Sequence, residues 1–163
     1  MPMIMNHHYD NGLDLQGSGQ NIHLSDILIR RRINREEYMV DIKEIDQAIA
    51  AHGYWKTYLR NAITTGRIDT PVETICSDSR CVFGKWLDAS MLTSTEKESY
   101  HYITVKGLHA RFHETAARVA GLVLAGKKSE AERMMAPDGE YAKISAQLSL
   151  AMMGWRKSLS EKK

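Results

Sequence analysis

The chain has 163 residues, 43% of them hydrophobic and 26% charged, which suits one globular domain with a sizeable core and excludes a wholly disordered chain. Its 22 Lys and Arg against 20 Asp and Glu leave a net charge of +2, so no global field recruits nucleic acid or an anionic membrane, and no nucleic-acid partner is expected. No apolar run approaches the roughly 18 to 20 residues that span a bilayer, and the opening MPMIMNHHYDNG lacks the basic start and apolar core of a secretory signal, so a cytoplasmic protein without a membrane span is expected.

Residues 1–23 are rich in Asn, Asp, Gly and Gln with no period, and a flexible N-terminal segment without chemistry of its own is expected there. His7 and His8 within it are read as solvated polar residues. The domain proper is expected over 24–160. Ser25 is a suitable N-cap for DILIRRRIN, where Ile27, Leu28 and Ile29 precede Arg30, Arg31 and Arg32. Those three arginines read either as a solvated helix face or as a contact for a partner or acidic headgroup. From Arg35 to about Thr65 the apolar positions Ile42, Ile45, Ile49, Leu59 and Ile63 keep helical spacing, and His52 falls on their face. Gly66 supplies the stop.

The stretch RIDTPVETICSDSR, residues 67–80, reads as a loop holding at most a single helical turn, and CVFGKWLD as a short helix. Thr95 with Glu98 has capping-box spacing and is expected to open a long helix whose face carries Tyr102, Val105, His109, Phe112, Ala116 and Val119 until Gly126. Ser129 with Glu132 repeats the box. After Pro137, Asp138 and Gly139 a last helix is expected from about Glu140 to Leu159, with Ile144, Leu148, Met152, Trp155 and Leu159 as its stripe. No segment alternates with period two, so the fold class is all-α: an antiparallel four-helix-bundle-like domain with a short extra helix at the cysteine motif. Met134, Met135, Met152 and Met153 read as adaptable core filler.

Residues four apart on a helix project from one side, so His109 and His113 can aim ring nitrogens at a common point. By themselves they fit equally well a core histidine beside an exposed one. Two further residues converge in the reading: His52 lies on an inward stripe, and Cys81 opens a short helix after a loop long enough to fold back over the bundle. Three neutral imidazoles and a thiolate in tetrahedral arrangement suit Zn2+, a borderline-soft ion without redox chemistry. A catalytic metal fits less well. Position 110 is Ala where a His-Glu-x-x-His protease helix needs its general base, four protein ligands leave no open position for water, and the repeated Glu-x-x-His pairs of di-iron bundles are missing. The chain therefore reads as non-enzymatic.

His52-Gly53-Tyr54, Cys81-Val82-Phe83-Gly84-Lys85-Trp86 and His109-Ala110-Arg111-Phe112-His113 together resemble the signature of the bacterial chemoreceptor zinc-binding (CZB) domain family, with a similarity spanning about 40–160. The resemblance implies that His52, Cys81, His109 and His113 ligate one zinc ion. It also implies a regulatory domain, usually dimeric, that serves chemoreceptors or diguanylate cyclases and responds to zinc or to oxidants such as hypochlorous acid. The sequence holds neither a receptor signalling region nor a GGDEF cyclase domain, so a stand-alone sensor is expected, a homodimer acting through a chemoreceptor or diguanylate cyclase partner. The alternative is a structural module in which zinc staples helices for interaction or dimerisation without sensing. An exposed Cys81 thiolate is oxidisable to sulfenic acid, a poorer ligand. Cys76 reads as a bystander, the other reading being a trap for oxidised Cys81; His23 and His101 read as ordinary polar residues. Gly84 permits close backbone packing, and Phe83 and Trp86 pack the short helix onto the bundle.

Overall fold

The computed structural model describes residues 24–89 and 92–161, with side chains from Ile42 onward. The expected flexible segment 1–23, with His7, His8 and His23, lies outside the described residues, as do the side chains of Ser25 and of Arg30, Arg31 and Arg32. The chain divides into two compact units, residues 1–34 and 35–163, and the packing below belongs to the second. Among the described residues there is no strand and no helix long and apolar enough to cross a membrane.

Helix α1 spans Leu24–Thr65, so Ser25 lies inside it rather than before it. It ends as expected at Gly66, whose φ of 70° only a residue without Cβ adopts freely, and whose amide returns to the Ala62 carbonyl at 2.8 Å. The segment expected as a loop is more ordered than a single turn. Its α2, Val72–Cys76, is followed by a 3-10 turn, Asp78–Arg80, and buried Ile75 pins the pair to the body of the protein. Helix α3, Val82–Asp88, follows, with Cys81 as its N-cap.

Two expected boundaries are corrected. The capping box forms between Thr93 and Glu96, not Thr95 and Glu98, and it opens only the short α4, Ser94–Lys97. Both pairs have the same spacing, and Leu92, buried just before Thr93, sets which one is used. The long helix α5, Tyr100–Leu124, has its own cap in Ser99, whose Oγ accepts the Tyr102 amide at 3.2 Å. Beyond it, the Lys127 amide reaches the Leu122 carbonyl at 2.9 Å across Gly126, which has a φ of 70°. This tight closure lets α6 begin at Lys128, so Ser129 is already helical and makes no box with Glu132. Helix α7 covers Glu140–Ser160.

Side-chain contacts give the directions of the three long helices. Tyr102 meets Trp155 and Arg118 pairs with Glu140, so α5 and α7 are antiparallel. Asp46 pairs with Arg156 at one level, His52 meets His109 further along and Trp55 meets His113 beyond that, so α1 runs alongside α5 in the same direction. Residues 66–99 make the return crossover that this arrangement requires.

The core is what the stripes specified. Tyr102, Val105, His109, Phe112, Ala116 and Val119 of α5 are all buried, as are Ile144, Leu148, Met152, Trp155 and Leu159 of α7. On α1, Ile45, Leu59 and Ile63 are buried while Ile42 and Ile49 are only partly covered. Met135 and Met152 fill the core, whereas Met153 is 47% exposed. Leu148 is fully buried and Leu150, two positions on, is 66% exposed. Leu148→Ala is therefore expected to cost about 2–5 kcal/mol in urea denaturation, and Leu150→Ala to stay within about 0.5 kcal/mol of wild type. Equal losses at the two positions would contradict this assignment of the core face.

Candidate metal centre

His52 is fixed from within its own helix. Its Nδ1 lies 2.7 Å from the Ala48 carbonyl oxygen, which can only accept, so Nδ1 carries the proton and Nε2 is left as a lone pair. Nε2 of His52 is buried and has no hydrogen-bond partner. His113 is held in the same tautomer from a different segment: Nδ1 donates to the Ile75 carbonyl of α2 at 2.7 Å. Its Nε2 lies 3.1 Å from Nε2 of His109, which is in turn 3.2 Å from Cys81 Sγ. The donor atoms of His52, Cys81, His109 and His113 all lie within 4.8 Å of one another.

The positions follow from local structure. The i, i+4 spacing on α5 brings the His109 and His113 rings edge to face, with centroids 4.6 Å apart. Cys81 reaches them because the 3-10 turn and α3 are folded tightly together. A Cβ on Gly84 would strike the Asp78 carbonyl, so glycine is what permits this closure. The Gly84 amide donates to Cys81 Sγ at 3.2 Å and aims the sulfur inward. Phe83 and Phe112 wall the cluster, with ring centroids 5.8 and 5.1 Å from that of His52.

Burial dictates the protonation states. Desolvation holds His52 down at about 4 and His109 at about 3; in both, the neighbouring His113 opposes a second positive charge. The same desolvation lowers His113, opposed by its bond to Ile75. Near neutrality all three are uncharged imidazoles, the form that binds metals. Burial pushes the Cys81 thiol up, against the pull of the Gly84 and Phe83 amides. Without a cation, three buried nitrogens and a sulfur face one another with too few protons to satisfy them.

That donor set fits a zinc ion. Bonds of about 2.0–2.1 Å to nitrogen and 2.3 Å to sulfur give a tetrahedron with edges of about 3.3–3.6 Å. The 3.1 and 3.2 Å separations here need only small adjustments to reach such edges. Cys81, half-buried, is the donor nearest solvent; with His52 it lines a groove of about 490 Å3 between α1 and α3.

Other residues of the sequence motifs lie outside the cluster. Gly53 and Tyr54 face outward, Tyr54 with 68% exposure, and Val82 is also exposed. Cys76 is exposed and lines a separate groove with Glu114 and Arg118. Phe83, Gly84 and Trp86 are buried. Two groups escaped the sequence reading: the Ala48 and Ile75 carbonyls that orient two of the rings. The first lies one helical turn before His52, a local signal; the second is brought by the crossover and has none.

Among protein families, residues 52–120 match the model of CZB, the chemoreceptor zinc-binding domain. Comparison with curated proteins and with solved structures found no significant match.

The depressed histidines set a pH dependence for the metal-free protein. Folded His52 and His109 refuse protons until about 4 and 3, whereas an unfolded chain takes them up near 6.5. Their contribution is thus complete above 6.5 and is lost as pH falls from there toward 3. Urea midpoints measured with chelator present are expected to drop between pH 7 and pH 5; a flat profile would mean the rings are not buried as described.

Proposed function

We propose that this chain is a zinc-binding regulatory domain of the chemoreceptor zinc-binding kind, with His52, Cys81, His109 and His113 as the ligands of one zinc ion. The observation that carries the reading is the convergence of three imidazole nitrogens and one thiol, from α1, the N-cap of α3 and α5, within 4.8 Å of one another. The family match over residues 52–120 supports the choice of zinc. Four protein donors close the coordination shell, which favours a structural or regulatory metal over a catalytic one. The domain is taken as residues 24–160, working in the cytoplasm as a homodimer through a chemoreceptor or diguanylate cyclase partner.

When bound, the ion would stabilise Cys81 as the thiolate and tie the three segments together. The chain's own part is to present neutral imidazoles, two of them, His52 and His113, already held with the proton on Nδ1 and Nε2 free, and a sulfur at the groove. The thiolate is also the oxidisable form: Cys-S⁻ attacks the chlorine of hypochlorous acid and displaces hydroxide, and hydroxide then displaces chloride from the resulting sulfenyl chloride to leave sulfenic acid, sulfur losing the two electrons that chlorine gains. Oxidised Cys81 is a poorer donor, and the link between α3 and the two long helices weakens. Zinc sites contribute roughly 10–16 kcal/mol in small peptides, comparable to a domain's net stability of about 5–15 kcal/mol, so the change is large enough to switch conformation.

Native mass spectrometry is expected to find one zinc per chain, lost or much weakened in Cys81→Ser; retention at unchanged affinity in the variant would remove the ligand assignment. Because the rings are neutral and the thiol protonated, zinc titrated into the metal-free protein at pH 7 should release about one proton per chain, from Cys81.

A structural staple without sensing is the competing reading, and the half-buried state of Cys81 bears on it. Mild hypochlorous acid is expected to release zinc and shift the helical circular dichroism within minutes. Zinc that stays bound through this treatment, and exchanges with a strong chelator only over days, would favour the staple.

A further inference from the structure

We infer that Asp78 is a positioning residue for His109, its carboxylate accepting the Nδ1 proton that His109 must carry when its Nε2 binds the metal. The inference rests on the zinc reading above. It starts from an asymmetry among the three rings. His52 and His113 each have Nδ1 tied to a backbone carbonyl, Ala48 and Ile75, both at 2.7 Å. His109 has no such tie: its Nδ1 is buried without a hydrogen-bond partner, although its side chain is wholly shielded from solvent.

Without metal, His109 can place its proton on Nε2, toward Cys81 Sγ at 3.2 Å or His113 Nε2 at 3.1 Å. A metal at Nε2 takes that lone pair and forces the proton to Nδ1, the buried side with no acceptor in contact. A carboxylate stands on that side: Asp78 Oδ2 is 3.9 Å away, short of a hydrogen bond but within ion-pair reach. Asp78 opens the 3-10 turn, and its backbone is locked in place: its carbonyl receives the Cys81 amide at 3.4 Å and packs against the bare Cα of Gly84. The same Gly84 contact region lies against His109, since a Cβ there would sit 3.2 Å from His109 Cε1. Only the carboxylate, 35% exposed, is free to turn. A rotation of about one ångström closes the gap, and a charged acceptor on the far nitrogen orients the ring and raises its basicity toward a metal. The residue that sets the geometry of the turn is thereby also the one that holds the third imidazole.

The test measures Zn2+ affinity by competition with a chromogenic chelator, together with the NMR signal of the His109 Nδ1 proton in the zinc-loaded chain. Asp78→Asn and Asp78→Ala are expected to weaken zinc about 10- to 100-fold, with Asp78→Glu recovering part of the loss. Wild type should show a slowly exchanging, downfield Nδ1 proton that moves upfield or vanishes in Asp78→Ala, while metal-free wild type and Asp78→Asn melt alike. A wild-type chain that binds zinc while Asp78→Asn binds as tightly overturns this inference alone, and a chain that binds no zinc removes the metal reading with it. Should the variants fail to fold, the wild-type proton decides: fast exchange with water overturns the role of Asp78.

Discussion

Three imidazoles buried in their uncharged form, aimed at a common point with a thiol at its edge, are the constraint on which this structure turns. Burial alone would be satisfied by apolar side chains of similar volume. Histidines in such a place need each ring nitrogen accounted for, and the accounting reaches into separate parts of the chain: Ala48 within α1, Ile75 in α2, and the Cys81 sulfur at the start of α3. The hydrogen bonds at the centre thus specify how the crossover lies against the long helices. Phe83 and Phe112 keep water away and so maintain the neutral state that makes the rings good donors.

The centre joins two unlike regions. Helices α5 and α7 pair along an apolar seam in which Phe112 meets Tyr141 and Trp155 meets Tyr102, and Trp86 of α3 packs on Trp155 from the side of the crossover. The crossover is built from short pieces, none longer than the seven residues of α3, and α2 has no side-chain cap. Short helices do not hold themselves together in water; tertiary contacts must hold them. Exposed ion pairs such as Lys106 with Asp88 add little, each worth about 0–1 kcal/mol. Ile75, Phe83, Trp86 and Leu87 carry the crossover instead, along with whatever coordination the cluster makes. Local opening is therefore expected to concentrate around Cys81 while the α5–α7 seam stays closed.

The closeness of the 3-10 turn to α3 has a second effect. Gly84 leaves room for the Asp78 backbone, turns its amide toward Cys81 Sγ, and brings the turn against His109. One missing side chain therefore aligns a sulfur, an imidazole and a carboxylate. Its place in the sequence, three residues after Cys81, lets the N-cap geometry of α3 do this without a longer loop.

Much of this was legible from residue order. The stripes of α5 and α7 repeat every three to four positions because one helical face meets the core, so Val105, Phe112, Leu148 and Trp155 could be placed without coordinates, and His109 with them. Gly66 and Gly126 mark their helix ends for an equally local reason, the freedom of a residue without Cβ. Spacing failed where two local solutions were equivalent: Thr93 with Glu96 and Thr95 with Glu98 read alike until Leu92 is seen buried, and Ser129 could pose as a cap until the Gly126 closure places it inside α6. The shared direction of α1 and α5, the Ile75 carbonyl behind His113 and the nearness of Asp78 to His109 were decided by tertiary structure alone. Local patterns arise from atoms within about one helical turn, whereas these three depend on how segments tens of residues apart come to lie against each other, and no periodicity within a single element encodes that.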